Sequence, residues 1–292
     1  MDQPYLPVKS AVVVHDLSCV GRCALTVVIP ALAAMGVQPC PLPTAALSTH
    51  TGGYQGMASQ DLTGFMSACV AHWKSLGLKF DAVYSGYLAD ARQAKVVEGL
   101  IGWQREQGLP LVVVDPVLGD EGRLYSGMPS DMPEKMRALC RMADLITPNL
   151  TEAALLTGAI YSDAPRSPAE IAAMLASLNA ARAMITSVPI GNGRFANVCA
   201  ARGEPGYWQC AFEPVRAHYP GTGDLFASVI TGALMRGDSA EAAMEFATRY
   251  LCRVVADSFA LHTEARAGVQ LERSLGLLMG PLDGPACEYV VP

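Results

Sequence analysis

The sequence lacks any run long and apolar enough to cross a bilayer. Its longest apolar stretch, Ala24 to Val37, falls short of the roughly 20 residues a spanning helix needs and is interrupted by Pro30. Charge is also scarce, at 16% of 292 residues, and no basic cluster occurs. Twenty-one Lys and Arg against 27 Asp and Glu leave a net charge of −6. That balance excludes sequence-independent binding to nucleic acid or to an anionic membrane surface. The nine cysteines form no CxxC pair. Cys19 and Cys23 are four apart, but no second His or Cys pair follows at zinc-site spacing, so free thiols in a reducing compartment are expected. No GxGxxG follows the first predicted strand, which excludes the NAD-binding form of an α/β fold. The opening residues MDQPYLPVKS hold no basic segment leading into an apolar one, so no signal peptide is predicted. The expectation is a soluble, cytoplasmic protein.

What is present is core-forming material. Hydrophobic residues make up 51% of the chain, enough for a large interior and too many for a mainly disordered state. Short β-rich runs alternate with segments of helical period. Strands are predicted at 11–15, 82–85, 111–115, 144–147 and 183–187, with an extended stretch at 37–44. Helices are predicted at 24–35, 60–76, 90–107, 131–142, 150–157, 168–179, 223–236 and 239–260. The helix at 60–76 carries Leu62, Phe65, Met66, Cys69, Trp73 and Leu76. The one at 239–260 has Met244, Ala247, Leu251, Val254 and Phe259 on one face. Two runs, 195–200 and 207–212, flank Gly203-Glu204-Pro205-Gly206 as a hairpin. Strands alternating with helices predict a three-layer α/β/α sandwich with a mostly parallel sheet covered on both faces. With no internal repeat or linker-like shift in composition, residues 1–292 read as one domain.

In such sheets the ligand crevice lies beyond the carboxyl ends of the strands. His15-Asp16-Leu17-Ser18, Ser85-Gly86-Tyr87, Asp115-Pro116, Thr147-Pro148-Asn149 and Thr186-Ser187 should converge there. Pro220-Gly221-Thr222-Gly223-Asp224 leads into an apolar helix. Its glycines would let amides approach an anion at a helix N-terminus, with a carboxylate beside them to take a proton. The plainer alternative is that Thr222 caps the helix and Asp224 is a first-turn charge. Asn149-Leu150-Thr151-Glu152 is a capping-box pattern that could equally place Glu152 near a metal-bound water beside Asp115. The acidic, Gly-rich turn after Asp115 reads as a solvated loop or as a metal or phosphate site. His50 could be packed and satisfied or could meet a ligand; Tyr87 could edge the core or stack on a planar ring.

Taken together, STHTGG at 48–53, YSGYLAD at 84–90, VVDPVLGD at 113–120, ITPNLTEAALLTG at 146–158, ITS at 185–187 and GTGDLFAS at 221–228 carry a resemblance. From about residue 10 to 260 the chain resembles the ribokinase-like superfamily, and within it the pyridoxal/pyridoxamine kinases and the hydroxymethylpyrimidine kinases. The resemblance implies Asp224 as catalytic base, with Gly221, Thr222 and Gly223 as anion hole. It implies Asn149 and Glu152 organising Mg²⁺ through water with Asp115 close by, and Thr186 and Ser187 at the nucleotide phosphates. Asp120, Thr147 and Tyr125 fall on the same phosphate side. His50, Thr51 and Tyr87 fall where vitamin B6 kinases surround the pyridine ring, and Asp16 and Ser18, at the end of the first strand, are further candidates to contact the substrate.

The implied reaction is ATP-dependent phosphorylation of the 5′-hydroxymethyl of pyridoxal, pyridoxamine or pyridoxine, with Mg²⁺. A monovalent-cation requirement is left open, and a homodimer is implied. One departure bears on substrate. Pyridoxal kinases have a Gln-Ser type turn after the first strand, whereas Asp16 here looks like the hydroxymethylpyrimidine branch. A hydroxymethylpyrimidine (phosphate) kinase is therefore the alternative. A non-catalytic pyridoxal phosphate binder is a further one, disfavoured by the intact GTGD and NxxE.

Overall fold

The computed structural model describes residues 8–108 and 110–292. Residues 1–7, part of the segment read for a signal peptide, lie outside the described residues. The chain opens with β1 (Ser10–Ser18), α1 (Leu25–Ala34), β2 (Gln38–Leu47), β3 (Ser59–Asp61) and α2 (Thr63–Ser75). Next come β4 (Ala82–Ser85), α3 (Ala91–Gln107), β5 (Leu111–Val114) and a small hairpin, β6 (Gly119–Asp120) with β7 (Arg123–Leu124). They are followed by α4 (Met132–Met142), β8 (Leu145–Ile146), α5 (Leu150–Thr157), α6 (Pro168–Ser177) and β9 (Arg182–Gly191). The rest is β10 (Arg194–Ala201), β11 (Tyr207–Phe212), α7 (Thr222–Arg236), α8 (Ala240–Ala260), the short α9 (Leu271–Ser274) and β12 (Cys287–Val290).

A ten-stranded sheet runs in the order β12-β11-β10-β9-β8-β5-β4-β1-β2-β3. Strands β2, β1, β4, β5, β8 and β9 pair in parallel. Antiparallel strands flank them, β3 at one edge and β10 to β12 at the other. The period of two in a strand explains why both faces are apolar. Val12, Val14, Val83, Val112 and Val114 face one way, packing with Met66 of α2, Leu100 and Ile101 of α3, and Leu139 of α4. Ala11, Val13, Tyr84 and Val113 face the other, packing with Leu25, Val28 and Leu32 of α1 and Ala227 of α7. Each fully buried Leu or Ile contributes about 1.5–3 kcal/mol, so the strands are anchored from both sides.

Most of the predicted elements form, and the departures have physical causes. Helix α2 starts later than periodicity suggests because Gln60 and Asp61 pair with Ala46 and Ala45 of β2. Its Phe65 and Leu76 are exposed, as is Phe259 of α8, so none of the three belongs to the core. Strand β9 continues past Ser187 to Gly191, because β10 supplies it with an antiparallel partner through Pro189. The acidic turn after Asp115 holds the β6–β7 hairpin. The tail beyond residue 260 folds back over α1 and α7 and adds β12 to the sheet edge.

Candidate active site

At the carboxyl ends of the parallel strands, hydrogen bonds join the end of β1 to the first turn of α7, and join the ends of β5, β8 and β9 to one another. Helix α7 starts at Gly221, whose φ is 84°, and no side chain caps it. A Cβ at Gly221 would overlap the Arg22 carbonyl, so glycine is required by backbone conformation and by close approach. The Thr222 hydroxyl donates to the Tyr219 carbonyl (3.0 Å), which corrects the reading of Thr222 as the helix cap. First-turn amides, those of Thr222 and Gly223 among them, have no intrahelical acceptor, and the helix dipole adds positive potential there.

Asp224 stands in that first turn, its side chain 14% exposed. Its Oδ2 accepts from the Ala24 amide (2.6 Å), and its Oδ1 lies 3.2 Å from Nε2 of His15. Nδ1 of His15 lies 3.0 Å from Oδ1 of Asp16, whose Oδ2 accepts from the Ser18 hydroxyl (2.9 Å). Burial works against charge on His15, but Asp224 and Asp16 outweigh it and raise its pKa to about 10. Burial likewise opposes charge on Asp224, yet His15 and the Ala24 amide hold its carboxyl below the usual range.

A second carboxylate group lies across the strand ends. Burial, then the charge of Asp224, raises Asp115 to about 7, against the opposing effects of His15 and the Thr147 hydroxyl. That hydroxyl donates to Asp115 Oδ1 (3.1 Å). Asn149 caps α5 by accepting from the Glu152 amide (2.9 Å), while Glu152 accepts from the Asn149 amide (2.9 Å), completing the capping box. Glu152 also accepts from the Leu118 amide (3.1 Å), and the Asn149 side chain donates to the Gly119 carbonyl (2.9 Å). The box thus does more than cap: it clamps the loop after β5 onto α5. Burial and Asp115 push the Glu152 carboxyl well up. The Tyr125 phenol is pushed up by burial and by Glu152, Asp120, Asp224 and Asp115, which places it in the same field.

The remaining predicted residues are distributed around this centre. Thr186 bridges to Asn149 in parallel, and its amide donates to the Pro148 carbonyl (3.0 Å). Ser187 is exposed, with φ 54°, and its amide donates to Asn197 (2.9 Å). Asp120 stands in β6, its carboxylate accepting from the Glu121 amide. Burial raises the Tyr87 phenol, with Asp16 and Asp90 adding to it. His50 is buried with both ring nitrogens engaged: Nε2 donates to the Arg266 carbonyl (2.8 Å), and Nδ1 accepts from the Gly52 amide (3.0 Å). It latches the STHTGG loop to the chain near residue 266, while Thr51 beside it is exposed.

Two contributors hold roles that the sequence reading did not give them. His15, expected at the strand ends but assigned no role there, is the link between Asp16 and Asp224. Asn197, buried in β10, supports Ser187 and donates to Thr248 (2.9 Å); an amide inside an apolar strand was its only mark. A groove of about 390 Å³ between α5 and α6 contains none of these residues, so the chemistry is read from the carboxylates and not from that hollow.

Phosphoryl transfer to an alcohol needs a base, an anion hole and a place for a hard cation. The α/β/α fold, with its family match and kinase relatives, puts the chain among the ribokinase-like kinases. More narrowly, residues 29–268 match the phosphomethylpyrimidine kinase family, and the chain belongs to it. It is 31% identical over 270 residues to the pyridoxine/pyridoxal/pyridoxamine kinase of Bordetella avium, covering 86% of this chain and 88% of that one. A protein of Bacteroides thetaiotaomicron assigned to the phosphomethylpyrimidine kinases, and crystallised with pyridoxal, superposes with a TM-score of 0.91. It is 42% identical, over 97% of this chain and 100% of that one. The pyridoxal kinase of Lactobacillus plantarum gives a TM-score of 0.84 at 36% identity, over 94% and 97% of the two chains. Among the described residues no helix is long and apolar enough to cross a membrane.

Proposed function

We propose that this kinase transfers the γ-phosphoryl group of ATP to the 5′-hydroxymethyl of pyridoxal, pyridoxamine or pyridoxine, with Asp224 as general base. The observation that carries the reading is a half-buried carboxylate, held ionised by His15, in the first turn of α7 directly behind Gly221-Thr222-Gly223. The Bordetella avium and Lactobacillus plantarum relatives, named for this activity, support the choice of acceptor. As the hydroxyl oxygen bonds to γ-phosphorus and the bond to the β-phosphate oxygen breaks, the hydroxyl proton passes to Asp224 and ADP leaves. First-turn amides of α7 face the charge that develops on the phosphoryl oxygens.

Mg²⁺ fits the donor set. Among the described residues no group of three or more His, Cys, Asp or Glu side chains is close enough to hold a metal alone. Mg²⁺ takes one or two carboxylates together with substrate phosphates, and Asp115 and Glu152 are buried carboxylates that form no salt bridge among the described residues. Asp115 would hold the ion. Glu152, both of whose oxygens accept backbone amides, would act through water. Bound Mg²⁺ would offset phosphate charge. Thr186, Ser187, Asp120 and Thr147 then lie toward the nucleotide, and Asp16, Ser18, Thr51 and Tyr87 toward the ring, with His50 holding the ring-side loop.

The reading places the enzyme in the cytoplasm, where its nine free thiols would persist, as a homodimer to be checked by light scattering. Hydroxymethylpyrimidine kinase activity is the second reading, favoured by Asp16 at the end of β1 and by the family match. Turnover on the three B6 vitamers and hydroxymethylpyrimidine, side by side, decides between them. Asp224→Asn tests the base: kcat should fall by about 10²–10⁴ with ATP affinity little changed, and a folded variant with near-parental kcat refutes it.

A further inference from the structure

We propose that His15 is the positioning residue for the base: its Nε2–H fixes the plane and the ionised state of Asp224, and Gly86 exists to admit its ring. This deepens the proposed function and rests on Asp224 being the base.

The geometry is closed on every side. Asp224 has two carboxylate oxygens, and each already holds one hydrogen-bond partner, Ala24 N on Oδ2 and His15 Nε2 on Oδ1. Two partners on different oxygens hold the carboxylate plane and leave one lone pair on each oxygen open to an incoming hydroxyl. The His15 ring is in turn fixed. Nδ1 meets Asp16 Oδ1, and the Asp16 amide approaches the same nitrogen at 3.0 Å. With a pKa of about 10 the ring carries a proton on each nitrogen at neutral pH, so Nδ1 donates to Asp16 and Nε2 to Asp224. Gly86, the glycine of YSGYLAD, closes the other side: a Cβ there would overlap Cδ2 and Nε2 of His15. Its amide donates to the Val14 carbonyl (2.8 Å), so the backbone cannot drift away from the ring. Gly86 does not have a positive φ, so close approach, not conformation, is what a side chain would violate.

Charge supports the geometry. Asp224 shares its field with Asp115 of the loop after β5, Tyr84 of β4, Tyr125, Cys23 ahead of α1 and His50 of the ring-side loop. His15 lies between Asp224 and Asp16, with Asp115 nearby. It is the charged group in contact with Asp224 that lowers the cost of ionisation there.

The test compares His15→Gln, which keeps a side-chain donor but no charge, with His15→Ala, which keeps neither. Each is made in the parent and in Asp224→Asn, and kcat is followed against pH beside thermal melting and KM for ATP. Both substitutions should move the acid limb of kcat to higher pH, since Asp224 loses its cation. His15→Ala should lower the plateau by about 10–10²-fold and His15→Gln by less, with KM for ATP unchanged. In Asp224→Asn the His15 substitutions should change kcat less than about twofold, because the partner is gone. ¹⁵N NMR of substrate-free protein, with His15→Gln assigning the signal, should show the His15 ring protonated at Nε2 at neutral pH. If His15→Ala fails to fold, His15→Gln and the NMR signal still decide. An acid limb unchanged in His15→Gln, or full multiplication of effects in the double variant, overturns the inference while leaving Asp224 as base. Near-parental kcat in Asp224→Asn overturns both.

Discussion

Asp224 and Asp115 are aspartates of the same crevice, both with little solvent contact, and their carboxyls are driven in opposite directions. Asp224 is held low because His15 touches it; Asp115 rises to about 7 because it faces burial and Asp224 with only a threonine hydroxyl bonded to it. Glu152, beside Asp115, rises as well. Burial alone therefore decides nothing about the protonation of a carboxyl. A single imidazole holds the carboxyl on one side of the crevice ionised, while the carboxyl on the other side, facing a like charge, rises.

The contrast can be undone from the side of His15. Gly86→Ala pushes on the ring without removing any polar group, and kcat should drop by about 10–10²-fold. Overpacking should also cost about 1–3 kcal/mol of stability. Unchanged kinetics in Gly86→Ala would mean that the ring has room to shift and that its position does not matter.

From the opposite side, adding Mg²⁺ with ADP should stabilise the parent protein, by about 2.7 kcal/mol when the ligand stands at 100 times its Kd. Asp115→Asn should lose most of that gain as read by thermal melting, while ADP alone stabilises parent and variant alike. Equal stabilisation of both proteins by Mg²⁺ would take the ion away from Asp115.

The smallest effect concerns stability against pH. His15 has a folded pKa of about 10, above its ordinary 6.5, so its contribution is fully present below 6.5 and is lost as pH rises through 10. The parent should therefore lose more Tm than His15→Gln between pH 7 and pH 10, with a difference of about 2–4 °C for each kcal/mol involved. Parallel curves for the two proteins would show that the ring is neutral in the folded state.

Much of this molecule is legible in one dimension because strand and helix periods are local. Val12 to Val14 and Leu111 to Val114 announce buried strands, the helices predicted from 90 and 239 begin one residue later with Asp90 and Ser239 as their caps, and Gly36 and Gly158 follow helix ends with positive φ. The order of strands and helices was enough to predict a parallel sheet with its crevice at the strand ends. Even the capping box of Asn149 and Glu152 was readable, since its partners are three residues apart.

What one dimension could not supply is every relation set by long-range approach. The third oxygen-to-amide bond of the Glu152 clamp comes from Leu118, 34 residues away. His15 and Asp224 are 209 residues apart, and no local pattern marks a histidine as the partner of a distant carboxylate. The exposure of Phe65, Leu76 and Phe259 followed from which helix face the sheet covers, a choice periodicity leaves open at its margins. The protonation pattern of the crevice belongs to the same class. Side chains of one type, Asp115 and Asp224, acquire opposite character only when folding brings a cation to one and leaves the other facing a like charge, because electrostatic energy depends on distance in space and not on distance along the chain.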